Sequence, residues 1–271
     1  AAEVFAESWS SGTVAVAVDT RPTGPLLADI LIRVFRRHGI DTRYLFIAAA
    51  PEIMGYVKEN DLLSGFAYVS ASHNPIGHNG LKFGDSTGGV LGGETAAGLI
   101  AGFDELLDSP ELDTRLEELA SETASDAGAN PDESSGADLD GNSGIEEVYH
   151  TIDRWKNEAL RTYNRFVRKV ATAEEADSAV DSAFEELKRA NARRPIGIIG
   201  ELNGSARSLS IDRELLTEAG FLVSMYNDTP GKISHRIVPE GYSLDECRTL
   251  LKSAHRENPS FVLGYVPDND G

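Results

Sequence analysis

The stretch from Tyr68 to Leu91, YVSASHNPIGHNGLKFGDSTGGVL, changes character after its second residue. The apolar run at 66–69 is typical of the end of a short buried strand. Four of the next five residues are polar, and Pro75 then keeps the residue before it out of helical conformation. The pattern therefore predicts that Ser72 lies in a turn at the tip of a strand.

Three further side chains of this stretch are candidates for chemistry. His73 follows the serine directly, Asn79 precedes a glycine in a pair that is typical of tight turns, and Lys82 lies ten residues beyond Ser72. An ordinary polar turn has the same residue types, because Ser, Asn, Gly and Pro favour turns for backbone reasons alone. The interpretation of this stretch therefore depends on what surrounds it.

The segments before this stretch alternate between two kinds of pattern. Short apolar runs are typical of buried parallel strands, and longer runs with apolar residues on one face are typical of helices. Strands are predicted at 13–18, 44–47 and 66–69, and helices at 26–38 and 51–59. This β-α-β-α-β order indicates an α/β layer with a mostly parallel sheet.

Arg21 follows the first predicted strand, as Ser72 follows the third. Ligands of open α/β sheets bind at the carboxyl ends of the strands. We therefore expect Arg21 and Ser72 to face one crevice.

Composition excludes several classes of partner. The 271 residues carry a formal net charge of -19, which argues against nucleic acid and against anionic membrane surfaces as partners. No apolar run approaches the ~20 residues that span a bilayer, and the first residues do not have the pattern of a signal peptide. The single cysteine, Cys247, excludes an internal disulfide and is expected to be a small buried hydrophobe. A reducing, cytoplasmic location fits these observations.

The second half of the chain contains an unusual segment and a second α/β pattern. Residues 108–144 are rich in Ser, Gly, Ala and Asp with almost no bulky residues, and they predict a flexible acidic insert. Two helices are expected next, and the junction 193–195 is followed by apolar runs at 196–199, 221–225 and 261–265. The sequence thus predicts two consecutive α/β domains with mixed, mostly parallel sheets flanked by helices.

The serine stretch resembles the phosphoserine loop of the α-D-phosphohexomutases, the phosphoglucomutase/phosphomannomutase superfamily. That loop has the form T-A-S-H-N-P, followed by a spacer and N-G-x-K. This chain has SASHNP at 70–75 and NGLK at 79–82, so that Ser70 in place of Thr is the only departure. By the same resemblance, residues 1–192 are domain I, 193–258 are domain II and 259–271 are the start of domain III.

Two further motifs of the superfamily are partly present. Its G-x-D-x-R motif is matched by Asp19-Thr20-Arg21, with Ala17 in the glycine position and Val18 in place of a frequent Arg. Its metal loop, D-G-D-G-D-R, is matched in part by Asp268 and Asp270, with Asn269 in place of the first glycine. Alternating aspartates offer the oxygen ligands that Mg²⁺ prefers.

The resemblance implies an isomerase that moves phosphate between O1 and O6 of a hexose phosphate through a phosphoserine, with Mg²⁺ and a hexose 1,6-bisphosphate as cofactors. It implies Ser72 as the phosphorylated residue and, with Asp268 and Asp270, as a metal ligand. Lys82 is the candidate general acid/base, whose pKa a nearby cation would lower. Arg21 is the expected phosphate clamp.

His73 is expected to orient the phosphate, and Asn79 to help bind the substrate. Glucose phosphate or mannose phosphate is the expected substrate, and glucosamine phosphate is a less favoured candidate. The alternative is a non-catalytic phosphosugar-binding paralogue of the same fold, which Ala17, Val18 and Asn269 favour. The match covers only about half of a family member, so we expect a fragment without mutase turnover of its own.

Overall fold

A computed structural model describes residues 1–8, 12–126 and 143–271 of the chain. The first of its two sheets has the order β2-β1-β3-β4. The first three strands are parallel, and β4 pairs antiparallel with β3. The strands are β1 (Gly12–Val18), β2 (Ile40–Ile47), β3 (Leu63–Val69) and β4 (Leu81–Asp85).

Helices cover both faces of this sheet. Because successive side chains of a strand point to opposite faces, Val16 of β1 packs with α2, whereas Ala15 and Ala17 pack with α3. Continuous apolar strands are therefore buried on both sides, as the sequence predicted. The helices of this unit are α1 (Ala2–Ser8), α2 (Gly24–Arg37), α3 (Ala50–Lys58), α4 (Gly93–Leu107), α5 (Leu112–Asp126), α6 (Ser143–His150) and α7 (Ile152–Thr172).

The second sheet is smaller and wholly parallel, with the order β6-β5-β7. Two short 3₁₀ turns, Ala206–Leu209 and Gly241–Leu244, lie in its connections. Its elements are α8 (Asp177–Arg193), β5 (Gly197–Glu201), α9 (Asp212–Glu218), β6 (Leu222–Tyr226), α10 (Asp245–Glu257) and β7 (Phe261–Tyr265). Both units thus have the mixed α/β architecture that the sequence predicted.

Two elements near the predicted domain boundaries pack with the second unit. The strand β7, which was expected to open a third domain, pairs with β5 in the second sheet. Helix α8 was assigned to the first domain, and its Val180 and Phe184 pack against Ala219, just after α9. A hydrophobic pattern predicts that an element is buried but not which neighbour buries it, so the sequence did not indicate these contacts.

The predicted flexible insert is shorter than expected at its start. Helix α5 occupies 112–126, because apolar residues at 112, 116 and 119 recur at helical spacing within the acidic sequence. Helix α6 begins at Ser143, inside the predicted end of the insert. The stretch 127–142, on which the rest of that prediction falls, lies outside the described residues.

Two other expectations are answered by the fold. Cys247 is buried on α10, and its thiol lies 3.7 Å from the carbonyl oxygen of Tyr265. Burial raises the pKa of this thiol, in keeping with a structural rather than a reactive cysteine. No helix within the described residues combines the length and the apolar character needed to cross a membrane.

Candidate active site

The serine loop, residues 70–80, begins where β3 ends. The amide of Ser70 donates to the carbonyl of Gly80 across 2.9 Å, which closes the loop at its base. A side chain at position 80 would place its Cβ 2.7 Å from the carbonyl oxygen of Ser70, so only glycine allows this approach. Ser72 has a φ of 49°, a left-handed conformation that costs a non-glycine residue free energy. Strained residues of this kind cluster at functional sites.

Ser72 faces the aspartate loop, residues 266–271, which follows β7. The Ser72 hydroxyl donates to Oδ2 of Asp268 across 2.5 Å, although the two residues are 196 positions apart in sequence. The aspartate loop is itself a tight turn, since the amide of Gly271 donates to the carbonyl of Asp268. The structure therefore brings together the candidate phosphoserine and the first candidate metal ligand.

Asp270 is the second point where the two loops meet. Its Oδ2 accepts from the hydroxyl of Ser70 at 2.6 Å and from Nζ of Lys82 at 2.5 Å. Lys82 reaches this point because β4 pairs it with Tyr68 of β3, next to the serine loop. The charged neighbour of Lys82 is thus the carboxylate of Asp270, whereas the sequence prediction assumed a neighbouring cation.

Ser70 has a direct role in holding the site. Its side chain is buried, and its oxygen also accepts a 2.9 Å hydrogen bond from the amide of Ser72. This hydroxyl therefore links the candidate phosphoserine to Asp270. A threonine, which the superfamily motif has here, could make the same two hydrogen bonds.

Arg21 lies beneath the serine loop and is 1% exposed. Its Nη2 donates to the carbonyls of Ser72 and Asn74 at 2.7 and 2.6 Å, and its Nε donates to that of His78 at 2.9 Å. Its Nη1 is paired with Asp19 at 3.3 Å. Because its guanidinium is bound by loop carbonyls and Asp19, Arg21 positions the backbone at Ser72. Its role as a phosphate clamp stays a prediction.

The turn after β1 contributes two residues that the sequence did not single out. Asp19 is buried, and burial raises its pKa, although the amide and the guanidinium of Arg21 act to lower it. The hydroxyl of Thr20 donates to Oδ1 of Asn269 in the aspartate loop. The D-x-R spacing was the available signal for Asp19; nothing in the sequence indicated that Thr20 meets Asn269.

The other two candidates lie at the rim of the loop. The side chain of His73 is exposed and forms no hydrogen bond within the described part of the chain. Asn79 accepts a 2.9 Å hydrogen bond from Thr23, at an exposed position. Neither side chain is therefore held against Ser72 in this structure, and their roles toward a substrate stay predictions.

The donor set of the site suits a hard divalent cation. Ser72 offers a hydroxyl oxygen and Asp268 and Asp270 offer carboxylates, and oxygen ligands of this type are those that Mg²⁺ prefers. The anionic side chains of the site are Asp19, Asp268 and Asp270, and the cationic ones are Arg21 and Lys82. A cation is therefore compatible with the local charge of the site.

Comparison with known proteins identifies the fold as that of the phosphohexomutase class. Residues 1–108 match the family described as "Phosphoglucomutase/phosphomannomutase, alpha/beta/alpha domain I". The N-terminal part of the chain is therefore similar to domain I of that family. The matched range contains the serine loop, Arg21 and Lys82.

Curated relatives carry the name phosphoglucosamine mutase. The protein from Lacticaseibacillus casei is 38% identical over 98 residues, which are 36% of this chain and 20% of the relative. The protein from Burkholderia thailandensis is 34% identical over 108 residues, which are 40% of this chain and 24% of the relative. The matched region thus spans about a quarter or less of these relatives.

Solved structures extend the similarity of fold to the whole chain. A phosphoglucomutase/phosphomannomutase family protein from Burkholderia thailandensis has a TM-score of 0.56 at 16% identity, over 100% of this chain and 47% of that one. The Paramecium phosphoprotein pp63/parafusin, a phosphoglucomutase, has a TM-score of 0.54 at 14% identity, over 99% and 47%. The chain therefore spans about half the length of these structures and shares their fold.

Proposed function

We propose that this chain carries the phosphoserine site of a phosphohexomutase and that Ser72 is the residue that holds the phosphoryl group. The observation that carries the proposal is the 2.5 Å contact between the Ser72 hydroxyl and Oδ2 of Asp268, made by a serine in left-handed conformation. Ser72 is only partly buried at the end of its strand, so a substrate can reach the hydroxyl from solvent.

The proposed reaction has two phosphoryl transfers. In the first, the bond between phosphorus and Oγ of phospho-Ser72 breaks, a bond to a hydroxyl oxygen of the hexose phosphate forms, and the hydroxyl proton is released to a base. In the second, the other phosphoryl group of the resulting hexose 1,6-bisphosphate returns to Oγ, and the product oxygen regains a proton. Such transfers depend mainly on positioning and on neutralising the charge of the moving group.

The residues of this chain supply both requirements. Arg21 holds the backbone carbonyls of Ser72 and Asn74, so the phosphorylated oxygen keeps its place through both transfers. Lys82, paired with Asp270, is the proposed proton-transfer group and offsets charge beside the serine. Ser72, Asp268 and Asp270 would hold Mg²⁺, which when bound offsets the charge on the transferring phosphoryl group.

The proposed substrate is a hexose phosphate, with glucose, mannose and glucosamine as candidate sugars. The names of the curated relatives favour glucosamine, and those of the structural neighbours favour glucose and mannose. Exposed His73 and Asn79 lie at the mouth of the serine loop, where the phosphosugar would approach.

A labelling experiment tests the proposal directly. The chain is incubated with Mg²⁺ and, in turn, the 1,6-bisphosphates of glucose, mannose and glucosamine, and intact mass and peptide mapping locate any phosphoryl group. We expect one group per chain, on Ser72. The Ser72→Ala variant should gain none, whereas Ser86→Ala, which removes an exposed serine from the neighbouring hairpin turn, should be labelled like the parent. Label on Ser70, or on no residue of the serine loop, would reject the assignment.

The same experiment addresses the non-catalytic alternative. The observation that favours it is the buried side chain of Asn269, which occupies the aspartate loop where the superfamily motif has glycine. A phosphosugar-binding protein would bind hexose phosphate in calorimetry yet gain no phosphoryl group from any bisphosphate. Binding with labelling on Ser72 supports the mutase.

A further inference from the structure

A second cluster of potential ligands lies in the smaller sheet, at the carboxyl end of β5. It consists of Glu201, His235 and Glu246, whose ligand atoms all lie within 4.8 Å of one another. These residues come from β5, from the connection after β6 and from the first turn of α10. None of them takes part in the contacts described for the serine and aspartate loops.

Glu201 is the fixed member of the cluster and is fully buried. Its Oε1 accepts a 3.1 Å hydrogen bond from the amide of Asn203 and a 2.7 Å bond from Nδ2 of Asn227. Both asparagines have left-handed backbone conformations, with φ of 43° and 49°. Strained residues that hold one carboxylate in place indicate a preorganised group rather than a surface acid.

His235 presents one ring nitrogen to this carboxylate. Its Nδ1 lies 2.9 Å from the carbonyl oxygen of Arg236, an acceptor, so Nδ1 carries a proton and donates it. Its Nε2 lies 2.7 Å from Oε2 of Glu201. A histidine whose Nδ1–H is held by a backbone carbonyl has the tautomer that metal-binding histidines use, with Nε2 free to bind either a proton or a metal.

Glu246 completes the cluster from the solvent side. Its carboxylate is exposed, and its Oε1 accepts a 3.1 Å hydrogen bond from Nδ2 of Asn227, the same amide that holds Glu201. Being exposed, this side chain can move toward an ion without disturbing the core. The cluster therefore has a rigid buried carboxylate, an oriented imidazole and an adjustable carboxylate that faces solvent.

We propose that Glu201, His235 and Glu246 bind a divalent transition-metal ion of the Zn²⁺ class. An imidazole with two carboxylates suits Zn²⁺, Mn²⁺ or Co²⁺, whereas Mg²⁺ prefers oxygen ligands alone. Two negative charges on the glutamates attract a dication. Three protein ligands from three different elements leave a fourth position for water.

Metal binding replaces a proton. With His235 protonated, Nε2 shares that proton with Glu201 across 2.7 Å. Ligands of a tetrahedral Zn²⁺ lie about 3.4 Å apart, given metal–ligand distances near 2.1 Å. The pair therefore opens by about 0.7 Å as the ion enters, and the proton on Nε2 passes to solvent. The connection after β6 and helix α10 are then both tied to β5.

The proposal is independent of the mutase assignment and is tested by titration of the untagged chain. Zn²⁺ is added in calorimetry, and Co²⁺ in visible absorption, with Mg²⁺ in excess to fill hard-oxygen sites. We expect one ion per chain, proton release on binding, and a Co²⁺ spectrum typical of four or five ligands that include nitrogen. The heat in buffers of different ionisation enthalpy measures the proton release.

Two variants and one control locate the ion. His235→Ala should abolish the Co²⁺ spectrum and weaken Zn²⁺ binding by a factor of about 100, and Glu246→Gln should weaken it at least about tenfold. Glu257→Gln, the same change at an exposed site at the end of α10, should bind like the parent. Since Glu246 is exposed, its variant tests the site even if His235→Ala does not fold. No saturable Zn²⁺ binding below millimolar concentration, or equal affinity in Glu246→Gln and the parent, would overturn the proposal.

Discussion

The hydroxyl of Thr20 donates to Oδ1 of Asn269 across 2.9 Å, and both residues are buried although 249 positions separate them. This hydrogen bond joins the turn after β1 to the aspartate loop. Two backbone bonds support it, from Ala50 to the carbonyl of Asp270 at 2.6 Å and from Ala206 to that of Asn269 at 2.9 Å. The residue that departs from the superfamily's glycine thus fixes the aspartate loop against the first sheet.

Asn269→Ala is therefore expected to lower the free energy of unfolding by about 1–3 kcal/mol, because it leaves the buried Thr20 hydroxyl without its acceptor. Thr20→Val removes the donor without changing shape, and in the double variant the two losses should fall short of adding, by about 1 kcal/mol. Urea denaturation measures all three. Thr95→Val, at an exposed threonine of α4, should stay within about 0.5 kcal/mol of the parent. Strict additivity of the two site variants would show that the bond contributes nothing.

Arg21→Lys should destabilise the chain by about 3–5 kcal/mol despite keeping the charge. A lysine has one nitrogen and cannot reach the carbonyls of Ser72, Asn74 and His78 together, so partly buried acceptors lose their donors. Urea denaturation gives the loss, and proteolysis should cut the serine loop faster. The exposed Arg189→Lys of α8 is the matched control and should change stability little. A variant as stable as its parent would contradict the positioning role of Arg21.

Asp268→Asn should weaken Mg²⁺ binding, since it removes one of the two carboxylates that would hold the ion beside Ser72. Phosphorylation of Ser72 should strengthen Mg²⁺ binding, because it adds roughly -1.5 to -2 charges at neutral pH. Calorimetry with Mg²⁺ on the phosphorylated and unphosphorylated chains compares the affinities. Asp104→Asn, at an exposed site of α4, makes the same change in charge far from the loops and should bind like the parent. Equal affinity in Asp268→Asn would exclude Asp268 as a ligand.

The buried pair Glu52–Lys156 makes stability depend on pH. Burial raises the pKa of Glu52 above its ordinary value of 4.5 although Lys156 lies 2.5 Å away, and burial lowers the pKa of Lys156. A carboxyl whose pKa is raised on folding stabilises the fold below pH 4.5, and this contribution is lost as the pH rises through its folded pKa.

The stability of the parent relative to Glu52→Gln should therefore fall as the pH rises from about 4.5 toward neutrality. Urea denaturation of both proteins at several pH values measures this difference in stability. The other carboxyl groups are the same in both proteins, so their effect cancels in the difference. A difference that grows with pH would mean that Lys156 outweighs burial and that the pKa of Glu52 is lowered.

The sequence by itself determined the elements of the fold and the position of the serine loop. Strands of the first unit read as continuous apolar runs because both faces of their sheet are covered, and the predicted strand ends agree with the structure within a few residues. The Asn79-Gly80 pair predicted a tight turn, and the structure gives a reason for the glycine, since a Cβ at position 80 would lie 2.7 Å from the carbonyl oxygen of Ser70. The serine motif then indicated the family, which the match over residues 1–108 supports.

The tertiary structure decided which side chains meet. That Asp268 and Asp270 contact Ser72, Ser70 and Lys82 follows from the packing of two sheets, and no local pattern contains it. For the same reason the sequence did not indicate that β7 pairs with β5, since strand pairing is a relation between distant segments.

Arg21 shows the same limit at a single residue. From the sequence, an arginine in a turn is expected to be a free cation. Only the folded loop shows that its guanidinium donates to three carbonyls and pairs with Asp19. Local conformation depends on neighbours in the chain, and the sequence records those. The partner of a charged or polar side chain depends on how distant segments pack. Burying such a side chain without a partner costs free energy, so it pairs with a donor or acceptor that the fold brings close.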